Sequence, residues 1–111
     1  MDAIVDDAVA VADEMAQSAR EACEFLKAMS HETRLLVLCL LMEGEKSVSE
    51  LEGALGIRQA SVSQQLQRLR AERLVTTRRD GKAVYYSLAS KEAREVIGVL
   101  YKLFCAKSEC H

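Results

Sequence analysis

The chain has 111 residues, half of them hydrophobic and 29% charged, with a formal net charge of −2. That balance fits one globular domain with a packed core and excludes collagen-like, disordered and low-complexity chains. The longest apolar run, Leu35 to Met42, falls far short of the roughly 20 residues that span a bilayer, so no membrane partner is expected.

The start, Met1-Asp2-Ala3-Ile4-Val5-Asp6-Asp7, lacks both the basic opening of a secretory signal and the Arg-rich character of a transit peptide. The expected compartment is the cytosol. In the first segment Ile4, Ala8, Val11, Met15, Ala19, Ala22 and Leu26 recur at alternating steps of four and three. This spacing predicts a helix over residues 1–28 with one apolar stripe, suited equally to an internal core face or to a seam between two chains.

Ser30 is expected to cap a second helix, with Glu32 at the positive end of its dipole. His31 beside it reads as a surface or capping histidine. The run Leu35-Leu36-Val37-Leu38-Cys39-Leu40-Leu41-Met42 is apolar almost all round and predicts a buried central helix ending near Glu43-Gly44. Ser47-Val48-Ser49-Glu50 then has the spacing of a capping box, opening a short helix that Gly56 closes.

A further helix is expected from about Gln59 to Arg73. It turns Val62, Leu66 and Leu69 inward, with Ala60, Ser61, Gln64, Gln67 and Arg68 on the opposite side. Two β-rich runs, Leu74 to Arg78 and Ala83 to Leu88, flank Arg79-Asp80-Gly81-Lys82, a strong hairpin signal. Tyr85 and Tyr86 alternate on the second strand, so one should pack inward and the other face out. The last helix is expected at 90–106, with Val96, Ile97, Val99, Leu100, Leu103 and Phe104 forming a broad apolar face.

The fold class is therefore mainly α with a β-hairpin: a helix-turn-helix at 47–73 followed by a wing at 74–88. Charge supports this assignment. Residues 1–19 carry only acidic charges, whereas residues 58–82 carry seven basic residues against Glu72 and Asp80. A local basic patch can bind DNA while the mildly acidic remainder limits indiscriminate association. Ser61 and Gln64 can reach base edges, since Gln both donates and accepts in the major groove. Arg78, Arg79 and Lys82 are placed to meet phosphates or the minor groove. Catalysis is not expected: there is no C-x-x-C, no Gly-rich phosphate loop and no recognisable Cys–His catalytic motif.

Four cysteines stand at positions 23, 39, 105 and 110, without the spacing of a metal finger. Structural disulfides are not expected in the cytosol. Cys39 in a leucine run and Cys105 after Phe104 read either as small core residues or as reactive thiols. Cys23 lies beside the first stripe and reads as packing. Cys110-His111 reads as an exposed end.

Ser30-His31-Glu32-Thr33-Arg34-Leu35, Ser47-Val48-Ser49-Glu50-Leu51, Ser61-Val62-Ser63-Gln64-Gln65-Leu66-Gln67-Arg68-Leu69 and the Leu74–Tyr86 hairpin together resemble the ArsR-type winged-helix regulators. The resemblance covers roughly residues 20–105. It implies a homodimer through the first and last helices, and a pseudo-palindromic double-stranded operator read by two copies. The candidate DNA contacts are then Ser61, Ser63, Gln64, Gln65, Arg68, Arg78, Arg79 and Lys82.

The family's usual metal ligands are missing here. Ser47 to Leu55 holds no cysteine, and Ser90 to Ala106 holds no Asp or His, so no metal or other cofactor is expected. Cys39 and Cys105 instead resemble the sulfide- and persulfide-responsive subgroup, the BigR-, SqrR- and HlyU-like regulators. That likeness implies a repressor whose Cys39–Cys105 pair is bridged by reactive sulfur, lowering DNA affinity. Alternatives are a thiophilic metal, metalloid or haem as effector, or a general thiol redox switch.

Overall fold

The computed structural model describes residues 2–105, with side chains from residue 9 onward. Ala106, Cys110 and His111, and the side chains of Ile4 and Ala8, lie outside the described residues. The elements are α1 (Asp2–Met29), α2 (Glu32–Leu41), β1 (Lys46–Ser47), α3 (Val48–Leu55), α4 (Gln59–Ala71), β2 (Val75–Asp80), β3 (Ala83–Leu88) and α5 (Lys91–Leu100). A π-helical turn, Tyr101–Cys105, continues α5. The arrangement is a winged helix-turn-helix, as the sequence predicts.

Helix α1 is about 42 Å long at 1.5 Å per residue, yet among its described side chains only those of the last turns reach the core, through Phe25, Ala28 and Met29. Residues 9–24 are exposed on every face. The molecule is elongated accordingly. Its longest dimension is 63 Å and its radius of gyration 18.0 Å, against about 13 Å for a compact chain of this length.

The cap of α2 differs from the expectation. His31, not Ser30, holds the extended N-cap conformation, and its Nδ1 accepts the Thr33 N–H at 3.2 Å. Ser30 is still tied to α1, donating its backbone N–H to the Lys27 carbonyl at 3.2 Å. Nor is α2 buried all round. Val37, Leu38 and Leu41 are enclosed, Cys39 and Leu40 are half-buried, and Leu36 is 45% exposed. The elements packed on α2 leave one of its sides uncovered.

The helix-turn-helix follows its sequence signals closely. Ser47 Oγ accepts the Glu50 N–H at 3.1 Å, and Glu50 Oε1 accepts the Ser47 N–H at 2.9 Å, which completes the capping box. Gly56 ends α3 in the left-handed region at φ 68°, where a side chain would be strained. On α4, Val62, Leu66 and Leu69 are fully buried. This helix stops at Ala71 rather than Arg73, because Arg73 itself is left-handed, at φ 62°. The Leu74 N–H reaches the Leu69 carbonyl at 2.9 Å, and the Arg73 N–H the Arg70 carbonyl at 3.0 Å. That pair of bonds is a Schellman closure, with buried Leu74 and Leu69 as its apolar contact.

The sheet has three strands in the order β1-β3-β2, all antiparallel. β1, only two residues long, was not visible in the sequence pattern. It pairs Lys46 with Tyr86 and Ser47 with Tyr85, joining the wing to the start of α3. In the wing Asp80 pairs with Ala83, so Gly81 and Lys82 form the two-residue loop and Asp80 belongs to β2. Gly81 takes φ 65° at the first loop position.

Candidate DNA interface and cysteine pair

The candidate reading face is built on α4, whose buried Val62, Leu66 and Leu69 fix its rotation. Ser61, Gln64, Gln67 and Arg68 are consequently exposed, whereas Ser63 and Gln65 are half-buried. Gln65 is also engaged within the fold: its Oε1 accepts a hydrogen bond from Arg34 Nη1 at 2.9 Å. Arg68 pairs with Glu72 at 3.4 Å, one helical turn on.

The wing separates its three cations. Arg78 donates through Nε to Glu45 Oε2 at 3.2 Å and through Nη2 to Glu45 Oε1 at 2.5 Å. Its guanidinium lies 4.8 Å from the centroid of the Tyr85 ring, its cross-strand partner. Those hydrogen bonds hold the Glu45 carboxyl below the usual carboxylate range and push Arg78 up. Arg78 is thus committed to tying the wing to the segment before β1. Arg79 and Lys82 are exposed at the tip, and neither makes an ion pair among the described residues. Tyr86 packs against the core and Tyr85 carries Arg78, the division of labour expected for alternating residues.

A groove of ≈ 290 Å³ runs between the start of α3 and the wing, and Ser49, Gln59 and Lys82 contribute to its lining. Sequence reasoning did not single out Ser49 or Gln59. The signal was available: both are polar residues at the first positions of helices whose N-termini meet at this groove.

Folding brings the thiols of α2 and of the π-helical turn into electrostatic range, although they stand 66 positions apart. Burial pushes the Cys39 thiol up, and the charge of Cys105 pushes it further in the same direction. Cys39 lines an open, mainly apolar pocket of ≈ 270 Å³ with Met42, Glu43, Ile97, Gly98 and Tyr101. Cys105 is exposed, and so is Cys23 on α1, which was expected to pack. All three are free thiols. Among the described residues no group of three or more His, Cys, Asp or Glu side chains converges as a metal site would require.

Large apolar side chains stand uncovered on α1, at Val9, Val11, Met15 and Leu26, and beyond the middle of α5, at Val99, Tyr101, Leu103 and Phe104. Phe104 is the extreme case, at 71% exposure. No helix among the described residues is long and apolar enough to cross a membrane.

The model of the bacterial regulatory protein, arsR family, matches residues 31–77. The biofilm growth-associated repressor of Xylella fastidiosa (strain 9a5c) is 42% identical over 97 residues, covering 87% of this chain and 85% of the relative. The transcriptional activator HlyU of Vibrio cholerae is 40% identical over 96 residues, covering 86% of this chain and 89% of that protein. The solved structure of reduced HlyU from Vibrio cholerae superposes with a TM-score of 0.81 at 41% identity, covering 83% of this chain and 97% of that one.

Proposed function

This chain belongs to the arsR family of bacterial regulatory proteins, as a DNA-binding transcriptional regulator rather than an enzyme, and we propose that it is a dimeric repressor released by reactive sulfur. The carrying observation is geometric: Cys39 shares a pocket with Ile97, Gly98 and Tyr101, and Tyr101 opens the π-helical turn that ends at Cys105.

The chemistry follows from their unequal surroundings. Exposed Cys105 meets a persulfide first: its thiolate attacks the outer, sulfane sulfur of RS–SH. RS⁻ departs and Cys105 carries an S–SH group. The Cys39 thiol gives up its proton, and the thiolate attacks the Cys105 sulfur and expels HS⁻. A disulfide remains. Two protein thiols have been oxidised, and the persulfide has been reduced to RSH and hydrogen sulfide. If Cys39 is itself persulfidated before closure, the same displacement yields a trisulfide.

Such a bridge would pin α2 to the end of α5. The uncovered apolar side chains of α1 and α5 support an isologous dimer across these helices, on a pseudo-palindromic operator. Bridging lowers DNA affinity if the reduced and bridged chains favour different spacings of the two reading helices. In this reading Ser61, Gln64 and Arg68 face the major groove, and Arg79 and Lys82 contact phosphates. Ser63 and Gln65 contribute less, being half-buried.

The test is DNA affinity before and after persulfide treatment, on a duplex selected by the wild-type protein. Cys39→Ser and Cys105→Ser should each bind the duplex normally and lose the response. A single variant that still responds fully would overturn the two-thiol mechanism.

A further inference from the structure

Arg34 on the first turn of α2 hydrogen-bonds both the end of α1 and a side chain of α4. Its Nε donates to the Ala28 carbonyl at 2.6 Å, its Nη2 to the Lys27 carbonyl at 3.2 Å, and its Nη1 to Gln65 Oε1 at 2.9 Å. Lys27 and Ala28 belong to the last turn of α1, whose carbonyls lack partners within the helix. The guanidinium satisfies the Ala28 oxygen, adds a second donor to the Lys27 oxygen that already accepts the Ser30 N–H, and lies at the negative end of a long helix dipole. The remaining arm of the same planar fork holds the reading helix.

We propose that Arg34 is a positioning residue that locks the C-terminal end of α1 to α4 and so sets the orientation of the DNA-reading face. The inference rests on the reading of α4 as the DNA-facing helix. Two features give the link its rigidity. The guanidinium is planar, so its three bonds fix α1 and Gln65 relative to one another. Each bond is charge-assisted. The guanidinium is also partly withdrawn from solvent and stands within electrostatic range of both Arg68 and Glu72, which pair with each other at the end of α4. Any change in α1, the helix whose apolar side chains are uncovered, is passed to α4 through it.

The experiment compares Arg34→Lys, Arg34→Met, Gln65→Met, Gln65→Glu and the Arg34→Met/Gln65→Met double variant on the duplex selected by the wild type. Each is measured below its melting transition, so that only folded protein is counted. Arg34→Met should bind about tenfold more weakly, as expected for loss of hydrogen bonds to a charged group. Its dependence of affinity on salt should match the wild type, because no phosphate contact has been removed. Arg34→Lys keeps the charge but not the fork, and should not restore affinity. Gln65→Glu keeps the acceptor and should retain the clamp, as read by hydrogen exchange on the free protein, since its added charge would itself repel DNA. The double variant should be no weaker than Arg34→Met alone.

Amide hydrogen exchange on the free protein gives a second readout that needs no DNA. Arg34→Met should speed exchange at the end of α1 and around Gln65 together. Wild-type affinity in Arg34→Met, a salt dependence reduced by a lost phosphate contact, additive losses in the double variant, or exchange that changes at only one of the two helices would each overturn the proposal.

Discussion

Arg78, Arg79 and Lys82 look equivalent in the sequence, but the structure gives them different work, and the salt dependence of DNA binding can separate them. Each phosphate contact removed should lower the magnitude of the slope of log K against log salt by about 0.9. In a dimer every substitution counts twice, so Arg79→Gln or Lys82→Gln should lower it by about 1.8. Over a doubling of salt the wild type would then lose about 3.5-fold more affinity than either variant. Arg78→Gln should leave the slope unchanged, because this guanidinium is held by Glu45 and stacked on Tyr85. Glu45→Gln should do the opposite and steepen the slope, by releasing Arg78 towards the backbone. The assay is fluorescence anisotropy of a labelled duplex, titrated between about 0.05 and 0.3 M potassium chloride, a range in which counterion release dominates. If Arg78→Gln flattened the slope as much as Arg79→Gln, and Glu45→Gln changed nothing, the assignment of Arg78 to the fold would be wrong.

Thiol alkylation should distinguish the two cysteines in the reduced protein: exposed Cys105 reacts before Cys39, and Cys105→Ser speeds Cys39 by removing a charge that raises its pKa. Equal rates, or no effect of Cys105→Ser, would contradict the electrostatic contact. The raised pKa also makes Cys39 favour folding in its neutral form. That contribution is complete below the ordinary thiol range and is lost as pH rises from that range through the raised folded-state value. Two backbone substitutions should have opposite signs. Gly56→Ala, at φ 68° with open space around the added carbon, should cost about 1 kcal/mol and lower Tm by about 4–8 °C. Arg73→Gly, at φ 62°, should raise Tm by relieving the same kind of strain in the α4 closure. Calorimetry showing both shifts in one direction would refute the conformational argument. Phe104→Glu should yield a folded monomer in sedimentation experiments, and an unchanged sedimentation coefficient would remove the π-helical turn after α5 from the proposed dimer contact.

Much of the fold is legible in the sequence because local signals and burial agree there. Ser47 with Glu50, Gly56, the Val62-Leu66-Leu69 row and Gly81 each specify their own geometry through near neighbours. The signals that fail are those settled by tertiary partners. β1 is two residues long and exists only because β3 lies beside it. Ser30 is a better cap by residue type, but the close of α1 one residue earlier gives that position to His31. The roles of Arg34, Gln65 and Arg78 depend on hydrogen-bond partners 6, 31 and 33 positions away, at separations that no periodicity encodes. Sequence also reads one continuous last helix, whereas its end widens into a π-helical turn that carries Cys105. The two thiols are visible as residues in the chain, but the approach of Cys39 to the turn that carries Cys105 appears only in the folded molecule.

The central claim is tested most directly by treating the reduced protein with persulfide and, separately, with peroxide, then measuring peptide-resolved mass and DNA affinity on the same samples. The account predicts a Cys39–Cys105 crosslink after persulfide, as a disulfide or with added sulfur, accompanied by release of hydrogen sulfide and weaker DNA binding. A plain disulfide formed equally with both reagents would make the pair a general thiol redox switch. Thiols left unmodified by persulfide, or a crosslink that leaves DNA affinity unchanged, would contradict the account.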